Sequence, residues 1–507
     1  MKSKKIIAAS LGVAMSMSML CMPVYAAGTT INSIVANTQV GDGQREVSSF
    51  EIEVSDENVL KNLTADDFDV INNSSTVPFD VNTGNFAEAY QDDGIELKIE
   101  GNKLEMNVKP FCYAGMYKTD GSFQRLDWEV KCISNDELSF KSTDVTTVKT
   151  RILDDAERKT MTYAGLTREY ALYQPKNADG SIKKNVPLVV WNHGGGEYNG
   201  DLEDTLVANK GLTGWIDAGY DVAVLQMQVA NENYSYGAAE NESKKKLIDQ
   251  NNALQAEIIK NLIKDGSVNE NQVYVAGASS GGGATMRFLM QYPEMFAGAI
   301  ACCSMDPIVP VHNQTFGVLG RQKDSFDTIV SNFENAFQGD VYTWDSNSQS
   351  MVSKKVDTQK LLDVPIYYTH AENDPTCSSD SSKAMYKAMK NLGDKNNKIA
   401  IWSDDDMKEA GISNGSGGGL LHWSWVKVLN ENTEGSPMNW LFKQVKASSS
   451  ENKDSINQPS EIQKTTNETK VEKVQSVKTG DNTVIGIYAV IMLLAVCGYS
   501  IIKKIAK

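Results

Sequence analysis

The sequence predicts an α/β fold, a mostly parallel sheet with helices on both faces, preceded by a separate all-β sandwich. Two observations predict it. In residues 30–147, apolar side chains alternate with polar ones, which is the period of half-buried strands. Beyond about residue 150, nearly continuous apolar runs alternate with segments of helical period, which is typical of strands buried on both faces of a parallel sheet.

The two ends of the chain are predicted to be targeting segments. Residues 1–26 have a basic start, an apolar stretch and the small-residue site Val24-Tyr25-Ala26, which together describe a secretory signal peptide. Residues 484–502 are 19 residues without a charge, which is long enough for a transmembrane helix, and the three lysines that follow them form a basic tail. We therefore expect the chain between them to lie outside the cell.

Residues 477–507 resemble the cell-wall sorting signals of Gram-positive bacteria, because the Thr479-Gly480 pair in "VKTGDN" precedes the apolar segment and the basic tail. The Leu-Pro that usually precedes this pair is missing, so a plain membrane anchor is an equal alternative to covalent attachment to the wall. Residues 448–476 contain almost no apolar side chains, which predicts a disordered stalk.

The charge of the chain argues against a nucleic-acid partner. It has 65 acidic and 49 basic residues, a formal net charge of −16, which would repel phosphates. No His/Cys cluster has the spacing of metal ligands, so a metal site is not expected.

Residues 27–147 are predicted to form an immunoglobulin-like β-sandwich. Apolar side chains alternate along residues 95–99 and again along residues 104–108, with the two-residue turn Gly101-Asn102 between them. Several further short alternating runs, and no convincing helix, favour the sandwich. This part of the chain contains no chemical constellation.

Residues 148–447 are predicted to form the α/β domain. Its strands are five apolar runs: residues 187–192, 220–226, 272–276, 296–302 and 364–369. Residues 247–264 have apolar side chains at helical spacing, and Asp265-Gly266 ends that helix. Reactive groups are expected at the carboxyl ends of the strands.

A candidate nucleophile stands in residues 277–281, Gly-Ala-Ser-Ser-Gly. They match GxSxG, the sharp strand-to-helix turn that exposes one serine hydroxyl. A chain rich in Gly and Ser produces this pattern by chance, so Ser279 needs partners elsewhere in the sequence to be assigned a role.

Asp374 and His422 are the predicted partners of Ser279. Asp374 follows the strand at 364–369, and His422 lies in a later glycine-rich loop. The chain order is therefore Ser, Asp, His, which is the usual order when the nucleophile stands in a GxSxG turn. The carboxylate would orient the imidazole and stabilise its cation.

Alternatives exist for each of these partners. Asp306 is a rival acid, because it follows the preceding predicted strand, and Asp374 precedes a proline as turn-forming residues do. His422 could be packed among aromatic side chains. His370 precedes the acid and His312 lies in a long insertion, so both are interpreted as structural.

A glycine run predicts the donors for an oxyanion. His193-Gly194-Gly195-Gly196 follows a strand directly, and glycine lets backbone N–H groups approach a ligand. One donor would be the N–H of Gly195 or Gly196, and the second the N–H of Ser280. A phosphate cradle is disfavoured because the Lys-Ser/Thr pair of a P-loop is missing.

These motifs together resemble the α/β-hydrolase superfamily. Within it, "GLTREYALYQP" (residues 165–175), "HGGGE", "GASSGGG", "HAENDPT" and "HWSW" are similar to secreted bacterial esterases of the polyhydroxybutyrate depolymerase and feruloyl esterase group. Some members of that group carry an immunoglobulin-like domain before the catalytic one. The resemblance implies serine ester hydrolysis through an acyl-enzyme, without a cofactor, on a small-molecule or carbohydrate ester.

Two segments are candidates for shaping the substrate site. Residues 226–240 follow a strand, and residues 304–361 form an insertion long enough for a lid. Four aromatic residues there could stack on a substrate or simply pack within the loops: Tyr234, Tyr236, Tyr342 and Trp344.

The cysteines leave two pairings open. Cys112 with Cys132 and Cys303 with Cys377 could each form a bridge in an oxidising environment, although spacing alone cannot decide pairing.

Three functions remain open from the sequence. The first is a surface esterase, the second a prolyl-oligopeptidase-like serine peptidase with the same triad, and the third a catalytically inert binding or adhesion protein. A complete triad in the expected order disfavours the third.

Overall fold

The computed structural model describes residues 30–446, apart from residues 44, 73–78, 81–84, 87–93, 118–122, 126, 198–200, 230–241, 305–324 and 413–418. The predicted signal peptide, stalk, sorting motif and transmembrane helix lie outside the described residues. Among the helices that are described, none combines the length and the apolar character needed to cross a membrane.

The N-terminal part of the chain is made of strands in two main sheets. Its strands are β1 (Ile31–Val40), β2 (Arg45–Val54), β3 (Phe68–Asn72), β4 (Phe79–Asp80), β5 (Asn85–Phe86), β6 (Glu96–Glu100), β7 (Lys103–Tyr117), β8 (Phe123–Arg125), β9 (Trp128–Cys132), β10 (Phe140–Lys141) and β11 (Thr147–Thr150). The first sheet has the order β11-β1-β2-β7-β6, with β8 beside β7, and the second the order β10-β9-β3. The hairpin predicted around Gly101-Asn102 is confirmed as the β6–β7 turn.

These two sheets share one apolar core. Phe50 and Phe111 of the first sheet contact Trp128 of the second, with ring centroids 5.4 Å and 5.5 Å apart. Phe140 of the second sheet meets Phe50 edge-on at 5.2 Å. Alternating side chains that point from both sheets into one core are the packing that the sequence period predicts. The immunoglobulin-like topology stays a prediction.

The rest of the described chain is built on an eight-stranded sheet, the main sheet. Its strands are β12 (Glu157–Tyr163), β13 (Leu166–Tyr173), β14 (Val186–Asn192), β15 (Ala223–Met227), β16 (Val268–Ala278), β17 (Gly298–Cys302), β20 (Ile366–Ala371) and β21 (Lys398–Trp402). The order is β12-β13-β15-β14-β16-β17-β20-β21. The six strands from β15 to β21 run parallel, and β12 and β13 are antiparallel.

Helices cover both faces of the main sheet. They are α1 (Leu202–Val207), α2 (Gly214–Asp217), α3 (Glu242–Lys264), α4 (Ser280–Gln291), α5 (Phe326–Phe337), α6 (Thr358–Asp363), α7 (Asp380–Asn391), α8 (Asp404–Glu409), α9 (Ser424–Asn430) and α10 (Pro437–Leu441). Successive strand residues point to opposite faces, so Val190 packs in the core with α3, α4, α5 and α7, whereas Trp191 packs in the core with α1, α2, α9 and α10.

The predicted α/β elements are found in the structure. The five apolar runs correspond to β14, β15, β16, β17 and β20, and the predicted helix at 247–264 corresponds to α3, which begins five residues earlier. A mostly parallel sheet with helices on both faces is therefore confirmed. The sequence did not indicate β12, β13 or β21.

The insertion at 304–361 packs against the helices where it is described. It contains α5, α6 and a hairpin of β18 (Asp340–Asp345) and β19 (Ser350–Lys355). The Tyr342 N–H donates to Asp249 of α3, and the Trp344 ring contacts Tyr163 of β12. Tyr342 and Trp344 are thus packing residues, and Tyr234 and Tyr236 lie outside the described residues.

Neither of the two disulfides that the sequence left open is formed. Cys132, Cys303 and Cys377 are buried free thiols. Cys132 lies on β9 in the second sheet, and Cys112 lies on β7 in the first.

Glu203 of α1 joins the N-terminal sheets to the main sheet. Its Oε1 accepts from Arg45 of β2, and its Oε2 lies 2.7 Å from Arg158 Nη2 of β12. Nearby, Asp42 Oδ1 accepts from Asn430 Nδ2 at 2.8 Å and lies 3.3 Å from Lys210 Nζ. Charged contacts therefore hold the β-rich part against α1 and α9.

We expect Glu203→Gln to lower the free energy of unfolding by about 1 kcal/mol, since Glu203 is partly exposed and water screens its ion pairs. Burial raises the pKa of Glu203, but the two arginines outweigh burial and lower it below 4.5. The stabilisation is therefore fully present above pH 4.5 and lost as the pH falls through the lower pKa of the folded state.

Urea unfolding of wild type and Glu203→Gln across this pH range measures the difference, with Glu409→Gln, an exposed carboxylate, as the matched control. A stability difference between wild type and Glu203→Gln that stayed constant down to acid pH would contradict the ion-pair explanation.

Candidate active site

Ser279 lies at a sharp turn between β16 and α4. Its backbone has φ 56° and ψ −121°, in the left-handed region that side chains other than glycine rarely adopt. The turn is held by a hydrogen bond from Ser279 N–H to the Cys302 carbonyl at 3.0 Å. Such a strained turn directs the serine side chain out of the sheet, as GxSxG predicts.

The two glycines of the motif are required by close backbone contacts. A Cβ on Gly277 would lie 2.4 Å from the Gly281 carbonyl oxygen. A Cβ on Gly281 would lie 2.1 Å from the carbonyl oxygen of Asn192, the last residue of β14. Any larger residue at either position would separate the turn from β14.

Asp374 and His422 are joined by a short hydrogen bond. His422 Nδ1 lies 2.7 Å from Asp374 Oδ2, and Ser279, Asp374 and His422 are each only 7% exposed. Because Nδ1 donates to the carboxylate, Nε2 is the ring nitrogen that is left to accept a proton. The His422 ring also meets the Trp425 ring edge-on at 5.6 Å.

Asp374 is fixed by further donors in its own loop. Its Oδ1 accepts from the N–H groups of Thr376 at 2.8 Å and Cys377 at 2.9 Å. Burial raises the pKa of this carboxyl group, but the charge of His422 and the hydrogen bonds from both neighbouring histidines outweigh burial and hold it well below its ordinary value. Asp374 is therefore ionised at neutral pH.

His370 is a second histidine on the same carboxylate, which the sequence analysis set aside as structural. Its Nε2 donates towards Asp374 Oδ2 at 3.1 Å and the Cys377 carbonyl at 3.0 Å. Because both partners of Nε2 are acceptors, that nitrogen carries a hydrogen, and Nδ1 lies 2.8 Å from Ser382 Oγ, which can serve as its donor. The available signal was a histidine at the end of β20, four residues before the acid.

The glycine run after β14 is anchored by His193. Its Nδ1 donates to the Gly194 carbonyl at 2.8 Å, and its Nε2 accepts from the Val229 N–H at 3.0 Å. Complete burial lowers the pKa of His193 to about 4, so the ring is neutral at physiological pH. The run continues as a 3-10 turn at Gly195–Glu197, beside the Ser279 turn.

Glu197, the acid that ends the glycine run, is a residue that the sequence analysis did not single out. It is 5% exposed, and its Oε1 accepts from Asn209 Nδ2 at 2.7 Å. Burial raises its pKa to about 7, while backbone and Asn209 hydrogen bonds and the charge of His422 act to lower it. The signal was an acidic residue placed directly after three glycines.

Buried thiols also border Ser279. Burial and the charge of Asp374 raise the pKa of the Cys377 thiol well above its usual value, and a hydrogen bond from Ser279 acts in the opposite direction. Cys303, which follows β17, has φ 38° and donates its N–H to the Thr369 carbonyl at 2.7 Å. These thiols are protonated at neutral pH and therefore poor nucleophiles.

The structure brings most of the predicted site residues to one edge of the main sheet. Asp374 and His422 are hydrogen-bonded, Ser279 contacts the loop of Asp374 through Cys377, and Gly194 separates Glu197 from Ser279. Ser280 begins α4, and Gly195 and Gly196 lie in the adjacent 3-10 turn. The rival acid Asp306 and His312 lie outside the described residues.

Sequence comparison gives one partial family match. Residues 236–406 match the prolyl oligopeptidase family, Peptidase_S9, which covers about a third of the chain. No curated protein sequence matches this chain significantly.

Structure comparison finds esterases. A thermostable esterase is similar over 82% of this chain and 100% of its own, with a TM-score of 0.54 and 21% identity. Est1E from Butyrivibrio proteoclasticus covers 53% of this chain and 96% of its own, with a TM-score of 0.30 and 16% identity. A ferulic acid esterase covers 54% and 98%, with a TM-score of 0.31 and 13% identity.

The fold is that of the α/β-hydrolases. The main sheet, the turn at Ser279 and the match to a serine-peptidase family over its central part agree on the class of enzyme. The protein is a serine hydrolase.

The neutral His193 predicts a pH dependence of stability. Its pKa falls from 6.5 to about 4 on folding, so the unfolded chain binds a proton more tightly. Stability is therefore complete above pH 6.5 and decreases as the pH falls towards 4, by about 1.4 kcal/mol per pH unit.

Urea unfolding at pH 7 and pH 5 measures this loss in wild type and in His193→Gln, which keeps a donor and an acceptor but does not titrate. We expect wild type to lose about 2 kcal/mol more than the variant over this interval. Parallel stability curves for the two proteins would contradict the lowered pKa of His193 in the folded state.

Proposed function

We propose that this protein hydrolyses carboxylic esters through a Ser279–His422–Asp374 triad and an acyl-enzyme intermediate. The observation that carries the proposal is the buried 2.7 Å hydrogen bond between His422 Nδ1 and Asp374 Oδ2, at the sheet edge where Ser279 is held with positive φ. A carboxylate, an imidazole and a strained serine in this arrangement are the components of nucleophilic acyl transfer.

In the proposed reaction, His422 Nε2 accepts the proton of Ser279 as the hydroxyl attacks the ester carbonyl. Asp374 stays ionised and stabilises the imidazolium that forms. His422 then donates the proton to the departing alcohol, which leaves an acyl group on Ser279 Oγ. Water, deprotonated by the same histidine, attacks the acyl-enzyme and releases the acid.

The tetrahedral oxyanion would be bound by the N–H of Ser280 and the N–H of Gly195 or Gly196. Ser280 is the first residue of α4, a twelve-residue helix whose positive end adds to the stabilisation of an anion there. The glycines follow β14 directly, where the contact between Asn192 and Gly281 holds the two donor segments together.

The substrate class is proposed as a small-molecule or carbohydrate ester. The thermostable esterase, similar over most of this chain, supports ester rather than amide hydrolysis. The match of residues 236–406 to the prolyl oligopeptidase family favours the second candidate, a serine peptidase with the same triad.

The proposed location is outside the cell, attached to the membrane or wall of a Gram-positive-type bacterium. It is supported by the basic-apolar start of residues 1–26 and by the uncharged residues 484–502 with their lysine tail. Residues 448–476 would then be the stalk between anchor and enzyme.

We expect residues 27–447 to hydrolyse p-nitrophenyl acetate and butyrate, and Ser279→Ala or His422→Ala to lower kcat by at least about 10³-fold, since each removes a member of one catalytic unit. Asp374→Asn should have a similar effect because it reverses the hydrogen bond to His422. Ser348→Ala, on the exposed β18–β19 turn, is the matched serine control.

Parallel assays with p-nitroanilide peptides decide between the two candidates. Turnover of anilides with rates comparable to esters would replace the esterase by the peptidase. Full ester hydrolysis in Ser279→Ala would overturn the assignment of the nucleophile.

We expect the full chain expressed in a Gram-positive host to be removed from intact cells by added protease. Covalent sorting would leave the protein in the wall fraction after detergent extraction, and Thr479→Ala would abolish this retention. A plain membrane anchor would release the protein into detergent in both cases. Protein that resists protease on intact cells would contradict the extracellular location.

A further inference from the structure

Glu197 has a buried carboxylate beside the site, and the proposed mechanism gives it no role. It ends the glycine run that is proposed to bind the oxyanion. A carboxylate buried away from water is costly to keep, so its hydrogen bonds indicate why the fold holds it there.

Three donors converge on this carboxylate. Asn209 Nδ2 donates to Oε1 at 2.7 Å, and the backbone N–H groups of Gly194 and of Glu197 itself also hydrogen-bond to the carboxyl group. Asn209 is in turn oriented by the Gly211 N–H, which donates to its Oδ1 at 2.8 Å. All three of these groups donate hydrogen bonds to Glu197, and the bond from Gly211 fixes which end of the Asn209 amide faces Glu197.

The position of Gly194 connects these bonds to the nucleophile. A Cβ on Gly194 would lie 3.0 Å from Glu197 Oε2 and 3.7 Å from Ser279 Cβ, so Gly194 is packed between the two side chains. Its carbonyl accepts from His193 and its N–H is bound by Glu197. The bond to Glu197 holds the peptide plane before Gly194, and the bond from His193 holds the plane after it, which carries the Gly195 N–H.

We infer that Glu197 is a positioning residue for the oxyanion site: by accepting the Gly194 N–H, it holds Gly195 and Gly196 so that their N–H groups face the carbonyl attacked by Ser279. The inference rests on the proposed ester hydrolysis. It also assigns Gly194 itself to the support of the loop and not to the oxyanion. Asn209 extends the support to the segment after α1.

Glu197→Gln tests the inference because an amide has one acceptor oxygen and one donor nitrogen. Facing three donors, the Gln side chain must turn its NH₂ towards at least one of them, which breaks the bond to Asn209, to Gly194 or to the N–H of residue 197 itself and so loosens the network. We expect kcat to fall about 10- to 100-fold, because a misplaced donor costs somewhat less than a deleted one, while KM changes less than about 3-fold.

A second readout does not depend on the ester. A fluorophosphonate reacts with Ser279 Oγ to form a P–O bond, fluoride leaves, the serine proton passes to His422, and the phosphoryl oxygen occupies the oxyanion site. The rate of this labelling should fall by the same factor as kcat. Glu203→Gln, the same change six residues along, is the matched control and should leave both rates unchanged.

A double-mutant cycle separates positioning from general destabilisation. Asn209→Ala alone should lower both rates less than Glu197→Gln, and the double variant should be no worse than Glu197→Gln, since both act through one network. All assays are run at pH 8, above the pKa of Glu197, and at temperatures where thermal unfolding shows each variant to be folded.

Glu197→Gln within 2-fold of wild type in both rates would overturn the inference, and so would equal losses in Glu197→Gln and Glu203→Gln. Wild-type protein that is labelled rapidly but hydrolyses no ester would overturn the proposed function, whereas slower labelling of Glu197→Gln would still support positioning. Wild-type protein that is not labelled at all would overturn both.

Discussion

The site depends on one close backbone contact, between the end of β14 and the start of α4. The carbonyl groups of Asn192 and His193 lie against Gly281, so closely that a single methyl group would separate them. This contact sets the distance between the segment that carries the proposed loop donors and the segment that carries Ser279 and Ser280. Both segments leave buried parallel strands, so neither can shift without disturbing the main sheet. The strained φ of Ser279 is maintained by the same packing.

A second group of interactions fixes the acid and the base at the end of β20. Asp374 Oδ2 is shared by His422 and His370, and Oδ1 is held by two backbone N–H groups. The carboxylate is therefore fully bonded, and its charge is retained in a buried place because of these donors. The two histidines differ in their surroundings: His370 is bonded to Ser382 and is fully buried, whereas the His422 ring lies edge-on to the Trp425 ring.

Much of the architecture was predictable from β14, β16, β17 and β20, because strands buried on both faces need apolar residues at every position. In β12, and in the first half of β13, most side chains are exposed, so polar residues interrupt the apolar pattern. The candidate nucleophile, acid and base followed from strand ends and chain order. Two contacts could not be predicted, the one between Glu197 and Asn209 and the one between His370 and Asp374. Each forms only when the folded chain brings the two partners together. The packing of the β18–β19 hairpin on Asp249 likewise arises from tertiary structure.

The edge strand β12 has a consequence for how copies of the protein meet. An edge strand exposes unpaired backbone groups that can pair with another chain. Along β12, Glu157, Arg158 and Lys159 are all exposed, and Arg158 is engaged by Glu203 of α1. Two such edges would have to desolvate and align these charges before they could join. The charged side chains of β12 therefore oppose edge-to-edge pairing between the main sheets of two molecules.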